Sequence, residues 1–311
     1  PKPGDPLPKP DLVILRPGEE GQVIDRTLFS EPFTQSPRID GLWSPDGSEY
    51  CFDYNERGHQ RYCILAVNAK TGKTRVVVEE TSKTFIDYTQ KTWRHWLHGS
   101  GELIWMSERS GWCHLYLYDI KSGTLKNPVT SGDWPVRGVL HVDEKTREIW
   151  FLASGLKAGE DPYHLHLCRV NFDGTGFRQL TEGDGNHQIE FSPTREFFID
   201  AWSRVDHPPV HELRRSVDGT LVSEMERSDL TALLATGWTM PERFVTKGRD
   251  GKTDIHGILI KPSHFDPAKK YPVLENIYAG PHSAFVPKDF GRLLELHEFA
   301  EQGFIVVKLD G

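Results

Sequence analysis

The sequence predicts a mainly β protein: a partial β-propeller of four-stranded blades, each about 50 residues long, followed by the truncated start of a second domain with a parallel sheet. Three observations predict it. Turn glycines recur at nearly equal spacing, the segments between them alternate apolar and other residues, and the end of the chain reads strand, helix, strand. We place the propeller at residues 1–240 and the second domain at residues 241–311.

Turn glycines mark the repeat. They stand 51, 51, 51 and 45 residues apart, at Gly21, Gly72, Gly123, Gly174 and Gly219. The turns that contain them are rich in Gly, Asn and Asp, which adopt positive φ at little cost and so favour hairpin turns. A second series of turns falls between them, near residues 43–47, 96–101, 142–146 and 191–194. Each repeat therefore contains four strands, which is typical of a propeller blade.

The segments between the turns support this interpretation. In residues 114–118 and 164–168, every second side chain can face a core. The nine tryptophans are expected to fill the space between sheets. We predict a partial blade at about residues 11–35 and four fuller blades from about residue 36 to residue 235.

The composition argues against two classes of function, nucleic-acid binding and membrane insertion. The net charge of -8 and the lack of clustered Lys and Arg argue against nucleic acid as a partner. The longest apolar runs are too short to cross a bilayer, so we predict no membrane segment. The chain begins at Pro1 and stops just after a strand, so we expect it to be an internal part of a longer polypeptide. Cytoplasmic and periplasmic or secreted locations both stay open.

Neither a metal nor a cofactor is predicted. Four cysteines stand singly in strand-like runs, at Cys51, Cys63, Cys113 and Cys168. Cys51 and Cys63 lie symmetrically about Arg57, so a cross-strand disulfide and buried free thiols are both open, and we favour the thiols. His164 and His166 place two imidazoles on one strand face, but no third ligand follows at the spacing of a zinc site.

The end of the chain is typical of an α/β-hydrolase domain. Residues 271–277 and 303–310 read as buried strands. Between them, apolar residues recur at helical spacing, at Leu293, Leu294, Leu296, Phe299 and Ala300. Such a domain holds its nucleophilic serine in a Gly-x-Ser-x-Gly turn, and this motif is absent from the 311 residues. We therefore expect the nucleophile, the acid and the base to lie outside this chain.

Four short segments carry the most specific signal. They are SERSGWCHLY at residues 107–116, TSGDW at 130–134, Lys261-Pro262 with Lys270-Tyr271-Pro272, and YAGP at 278–281. In order and spacing the chain resembles the prolyl oligopeptidase family of serine peptidases, and within it the dipeptidyl peptidase IV branch. The resemblance implies a peptide substrate and release of dipeptides, often with proline or alanine second, through an acyl-enzyme. It also implies a glutamate pair just upstream of Pro1 and the catalytic triad beyond Gly311.

Tyr278 is the single catalytic candidate. By the resemblance, it matches the family tyrosine whose hydroxyl helps to stabilise the oxyanion of the tetrahedral intermediate. Independently, a phenol at the carboxyl end of a sheet, followed by Gly280 and Pro281, can aim one O–H donor into a cleft. A tyrosine that merely caps the sheet is the structural alternative. Substrate-binding residues are not predicted.

Other functions stay open at this stage. An endopeptidase or acylaminoacyl peptidase of the same superfamily would share these segments, and a propeller used only for binding is a third possibility. A homodimeric parent protein is compatible with the resemblance. Without the triad, we predict that the chain alone is inactive.

Overall fold

The computed structural model describes residues 2–7, 11–29, 39, 41–278 and 284–310. Within these residues the chain forms five four-stranded sheets and one two-stranded sheet. Two compact units are present. The first comprises Pro1–Asp133, Asp143–Glu148 and Asn171–Thr175, and the second comprises Trp134–Val142, Ile149–Val170 and Gly176–Gly311. The predicted mainly β fold class is confirmed.

Two four-stranded sheets follow a short hairpin at the start of the chain. The hairpin consists of Val13–Ile14 (β1) and Gln22–Val23 (β2), with a 3₁₀ turn at Thr27–Phe29. The first sheet consists of Gly41–Trp43 (β3), Glu49–Asn55 (β4), Arg61–Asn68 (β5) and Thr74–Thr81 (β6). The second consists of Arg94–Leu97 (β7), Glu102–Ser107 (β8), His114–Asp119 (β9) and Thr124–Pro128 (β10). In both sheets the strands pair antiparallel in chain order.

Two further sheets repeat this order. The third consists of Val136–Asp143 (β11), Glu148–Ala153 (β12), His166–Asn171 (β13) and Arg178–Gln179 (β14). The fourth consists of Asn186–Phe191 (β15), Phe197–Arg204 (β16), His207–Arg215 (β17) and Leu221–Arg227 (β18). A short helix, Thr231–Leu234 (α1), comes next. Both predicted series of turns are present: one joins the first and second strands of each sheet, and the other joins the third and fourth.

The fifth sheet differs because it is mixed. Its elements are Glu242–Lys247 (β19), Asp254–Ile260 (β20), Val273–Glu275 (β21), the helix Leu294–Glu301 (α2) and Ile305–Leu309 (β22). The strand order is β19-β20-β22-β21, and β21 runs parallel to β22. The predicted strand, helix, strand unit is therefore confirmed, although its first strand is shorter than the apolar run. Among the described residues, no helix has the length and apolar character needed to cross a bilayer.

Strand β5 is buried on both faces of its sheet. Its six central residues are all buried, since one set of side chains faces each neighbour. Ile64 packs in a cluster with Trp105 of the second sheet. Leu65, one residue on, packs in the opposite cluster with Phe29 and Phe52. A strand covered on both faces reads as a continuous apolar run, because water reaches neither side.

The repeat glycines occupy the turns between third and fourth strands. Gly72, Gly123, Gly174 and Gly219 have φ of 67°, 67°, 84° and 77°, in the left-handed region. Gly21, the first of the series, lies directly before β2. The predicted positive φ is thus confirmed at four turns, and it accounts for glycine there because an L side chain is strained in this region.

A second constraint acts on the same turns. A Cβ on Gly123 would lie 2.9 Å from the carbonyl oxygen of Val76, in the fourth strand of the preceding sheet. A Cβ on Gly219 would lie 2.4 Å from the carbonyl oxygen of Leu180, directly after β14. Each of these turns therefore packs against the end of the sheet before it, and no space is left for a side chain.

The cysteines are free and buried. In the β4–β5 hairpin Cys51 lies opposite Ala66, and Cys63 lies opposite Tyr54, so the two thiols do not face each other. Burial raises the pKa of the Cys51 thiol to about 11. The prediction that the tryptophans lie in the core holds for Trp105. It does not hold for Trp43, which is 54% exposed at the end of an edge strand.

Candidate active site

Tyr278 lies at the carboxyl edge of the parallel pair β21–β22. It follows β21 by three residues, and its side chain is 58% exposed. Its ring centroid is 5.3 Å from that of Phe285, with an angle of 47° between the planes. The rest of the YAGP segment, Ala279 to Pro281, lies outside the described residues. The phenol is accessible at the edge where α/β sheets place their ligands.

Phe285 is held in place by residues at the end of strand β22. Its backbone N–H donates to Oδ1 of Asp310 at 2.5 Å, and the N–H of Val286 donates to the same oxygen at 3.2 Å. Asp310 directly follows β22. Nζ of Lys308, in β22, lies 3.8 Å from the centroid of the Phe285 ring, and burial lowers the pKa of this lysine. Residues at the end of β22 thus fix the ring on which Tyr278 packs.

A cavity of about 250 Å³ lies within the second compact unit, and Val286, the residue after Phe285, is part of its lining. It is lined in part by Asp161, His164, His256 and Lys288. Nζ of Lys288 is 2.8 Å from Oδ2 of Asp161, and Nδ1 of His256 is 3.7 Å from the same oxygen. Burial alone would raise the pKa of Asp161, but its contact with Lys288 holds that pKa below the usual range. The cavity wall is therefore charged and internally paired.

The two histidines of the predicted strand face are both buried, but they have separate partners. Nδ1 of His164 lies 3.4 Å from Asp184, and Nε2 of His166 lies 2.9 Å from Glu160. Burial lowers the pKa of His164 and takes that of His166 to about 4, with the nearby His187 adding to the second shift. Within the part of the chain that the structure describes, no group of three or more His, Cys, Asp or Glu is placed to hold a metal ion.

The chemistry open to this edge is donation of one hydrogen bond. The Tyr278 hydroxyl can stabilise an oxygen that gains negative charge, as donors in oxyanion holes do. Because the 311 residues lack a Gly-x-Ser-x-Gly motif, the edge has no serine presented in that way. A donor of this kind can assist an acyl transfer.

Comparison with known proteins identifies the family of this chain. Residues 1–209 match the family described as the dipeptidyl peptidase IV N-terminal region. The chain belongs to the dipeptidyl peptidase IV family. Its four-stranded antiparallel sheets are consistent with the propeller-like N-terminal region of this family.

Relatives in the dipeptidyl peptidase IV family support this assignment. A Schizosaccharomyces pombe protein named as a dipeptidyl aminopeptidase is 27% identical over 332 residues, which cover 100% of this chain and 40% of that protein. Human dipeptidyl peptidase 8 is 30% identical over 244 residues, which cover 67% of this chain and 27% of that protein. The chain thus spans two fifths or less of the length of these relatives.

A solved structure of the family shows the same fold. The crystal structure of Porphyromonas gingivalis dipeptidyl peptidase 4 matches with a TM-score of 0.73 and 23% identity, covering 94% of this chain and 40% of that one. At 23% identity, this likeness shows that the two chains share a fold.

The sequence singled out Tyr278 as a candidate but gave no prediction for Phe285, Asp310 or Asp161. Asp310 and Phe285 lie 32 and 7 residues further along the chain, and Asp161 is 117 residues before Tyr278. Asp310 carried a usable signal, because it directly follows an apolar strand at the edge where parallel strands end. Asp161 carried none, since its position depends on how a loop between β12 and β13 folds back.

Proposed function

We propose that this chain is part of a serine-type dipeptidyl peptidase, with its propeller at residues 1–240 and the start of its hydrolase domain at residues 241–311. The complete protein would release N-terminal dipeptides, with proline or alanine second, through an acyl-enzyme. The observation that carries the proposal is an exposed phenol, Tyr278, at the carboxyl edge of a parallel strand pair in a chain of the dipeptidyl peptidase IV family. The names of the relatives support the reaction class.

In this mechanism a serine attacks the scissile carbonyl while a histidine takes its proton, and both residues lie outside this chain. Tyr278 and a backbone N–H would then hold the carbonyl oxygen as it becomes an oxyanion. The phenol acts on charge that exists only in the transition state, so it should raise kcat more than it tightens substrate binding. The 311 residues alone should hydrolyse nothing, because positioning without a nucleophile leaves the peptide bond intact.

The test is hydrolysis of Gly-Pro-p-nitroanilide by the complete gene product. We expect Tyr278→Phe to lower kcat about 10²- to 10³-fold with a small change in KM, as for loss of an oxyanion-hole donor. Tyr271→Phe is the matched control, because it removes a phenol that accepts a hydrogen bond from the Asp266 amide in the same domain. An unchanged kcat in Tyr278→Phe would remove Tyr278 from the mechanism.

A second substrate separates exopeptidase from endopeptidase. Dipeptide release needs a free amino terminus, so succinyl-Gly-Pro-p-nitroanilide should be a poor substrate for the complete protein. Faster cleavage of the blocked substrate would indicate an endopeptidase or acylaminoacyl peptidase. Binding of proline-containing peptides without cleavage of either compound would indicate a propeller used only for recognition.

A further inference from the structure

The segment that begins at Phe285 is anchored at its other end to a loop of the third sheet. Nζ of Lys288 lies 2.8 Å from Oδ2 of Asp161, in the loop between β12 and β13. The two side chains are only 11% and 8% exposed. Lys288 also lies 4.6 Å from the centroid of the Tyr163 ring. A charge pair removed from water is costly to break, because the remaining partner would be buried without compensation.

The next two residues are anchored to the fourth sheet. Nδ2 of Asn186 donates to Oδ1 of Asp289 at 2.9 Å. The N–H of Phe290 donates to Oγ of Ser203 at 3.0 Å. Three consecutive residues, 288 to 290, are therefore each bonded to a blade sheet or its loop rather than to their own mixed sheet. Contacts at this spacing leave the backbone between residues 285 and 290 few alternative conformations.

This anchored segment leads directly to the candidate catalytic group. Asp310 holds the amides of Phe285 and Val286, and the Phe285 ring contacts the Tyr278 ring. The ring contact is the link between the exposed phenol and the anchored segment. A shift of the segment would move Phe285, and the Tyr278 ring would follow or lose its neighbour.

We propose that Asp161 is a positioning residue for Tyr278: by holding Lys288, the β12–β13 loop sets where Phe285 lies and so where the phenol points. The inference rests on the proposed function, since it assigns the blade a part in building the oxyanion site. A donor in such a site works only within a narrow range of positions, and a misplacement of about 1 Å can cost on the order of 10²-fold in rate.

The decisive experiment is a double-mutant cycle in the complete gene product. Asp161→Asn keeps the shape of the side chain but removes its charge, and we expect kcat to fall about 10- to 100-fold with KM little changed. In the Tyr278→Phe background the same change should cost less than about threefold, because the positioned donor is already gone. Asp161→Glu, which retains the charge, should recover part of the loss.

The control is Glu224→Gln on β18, which breaks an exposed ion pair with Arg227 at 2.8 Å. It should leave kcat unchanged. Equal losses from Asp161→Asn in the two backgrounds would overturn the positioning role, because the effect would then not pass through Tyr278.

Hydrogen exchange tests the same inference without activity. In the complete gene product, Asp161→Asn should speed exchange of the Phe285, Val286 and Phe290 amides, while Glu224→Gln should not. Unchanged exchange in Asp161→Asn would refute the positioning role whatever the activity. Absence of hydrolysis by the unsubstituted gene product would instead refute the proposed function, so the two failures are distinguishable.

Discussion

Replacing Gly219 by alanine tests the physical basis of the repeat. The residue has φ of +77°, where an L side chain costs about 1–2 kcal/mol. The new Cβ would also lie 2.4 Å from the carbonyl oxygen and 2.7 Å from the Cα of Leu180, both backbone atoms that cannot rotate away. Overpacking of this kind typically costs about 1–3 kcal/mol. We expect Gly219→Ala to lower the free energy of unfolding by about 2–5 kcal/mol, the sum of these two costs.

Gly251 provides a matched control, in the turn between β19 and β20. Its φ is +68°, but a Cβ there would meet nothing within 4 Å. Gly251→Ala should therefore lose only the backbone cost, about 1–2 kcal/mol. Asparagine separates the two effects further, because it tolerates positive φ better than alanine. Gly251→Asn should be nearly neutral, whereas Gly219→Asn should still be destabilising.

The assay is urea unfolding followed by tryptophan fluorescence. Of the nine tryptophans, Trp150 lies near the substitution: its indole N–H donates to the carbonyl oxygen of Ser216 at 3.3 Å, three residues before Gly219. A fall in the midpoint at constant slope reports a loss of stability rather than a change in the unfolded chain. Equal losses for Gly219→Ala and Gly251→Ala would refute the argument that the turn packs too tightly for a side chain.

Two further predictions concern buried charge. Glu102 is 3% exposed; burial alone would raise its pKa, but hydrogen bonds from Arg147 and Lys126 lower it to about 2. Glu102→Gln should cost about 2–3 kcal/mol at pH 7, and the cost should vanish in urea titrations as the pH falls from 4.5 towards 2. His166 has a pKa lowered to about 4 by burial and by His187, so the unfolded chain takes up its proton first as the pH falls below 6.5. Stability should therefore fall between pH 6.5 and 4, and His166→Gln should flatten that fall by about 1 kcal/mol per pH unit; an unchanged slope would contradict the assignment.

The sequence predicts the sheets well because their signals are local. Gly123 and Gly174 mark turns through their own backbone conformation, and a strand such as β5 shows its burial in its own residues. The position of Tyr278 at a sheet edge was also predictable, because in the sequence it follows an apolar strand-like run and precedes Gly280 and Pro281. These features need no knowledge of distant parts of the chain.

Other features depend on pairings that no local pattern encodes. The hairpin register places Cys51 opposite Ala66, and a shift of a few residues in the turn was enough to make a Cys51–Cys63 pair look possible. The Asp161–Lys288 pair joins residues 127 apart. Trp43 is exposed at the end of an edge strand, which composition alone does not show. In each case long-range packing decides between side-chain environments that the local sequence allows equally.

The two series of turns differ in how much change they can accept. Gly47 and Gly101, between first and second strands, have positive φ but nothing within 4 Å of the position that a methyl group would take, whereas Gly219 rests on Leu180. Fluorophores, epitope tags or extra loop residues should thus be accommodated at the former turns and rejected at the latter. Length variation among natural relatives should concentrate at the same open turns, because an inserted residue there displaces no packed neighbour.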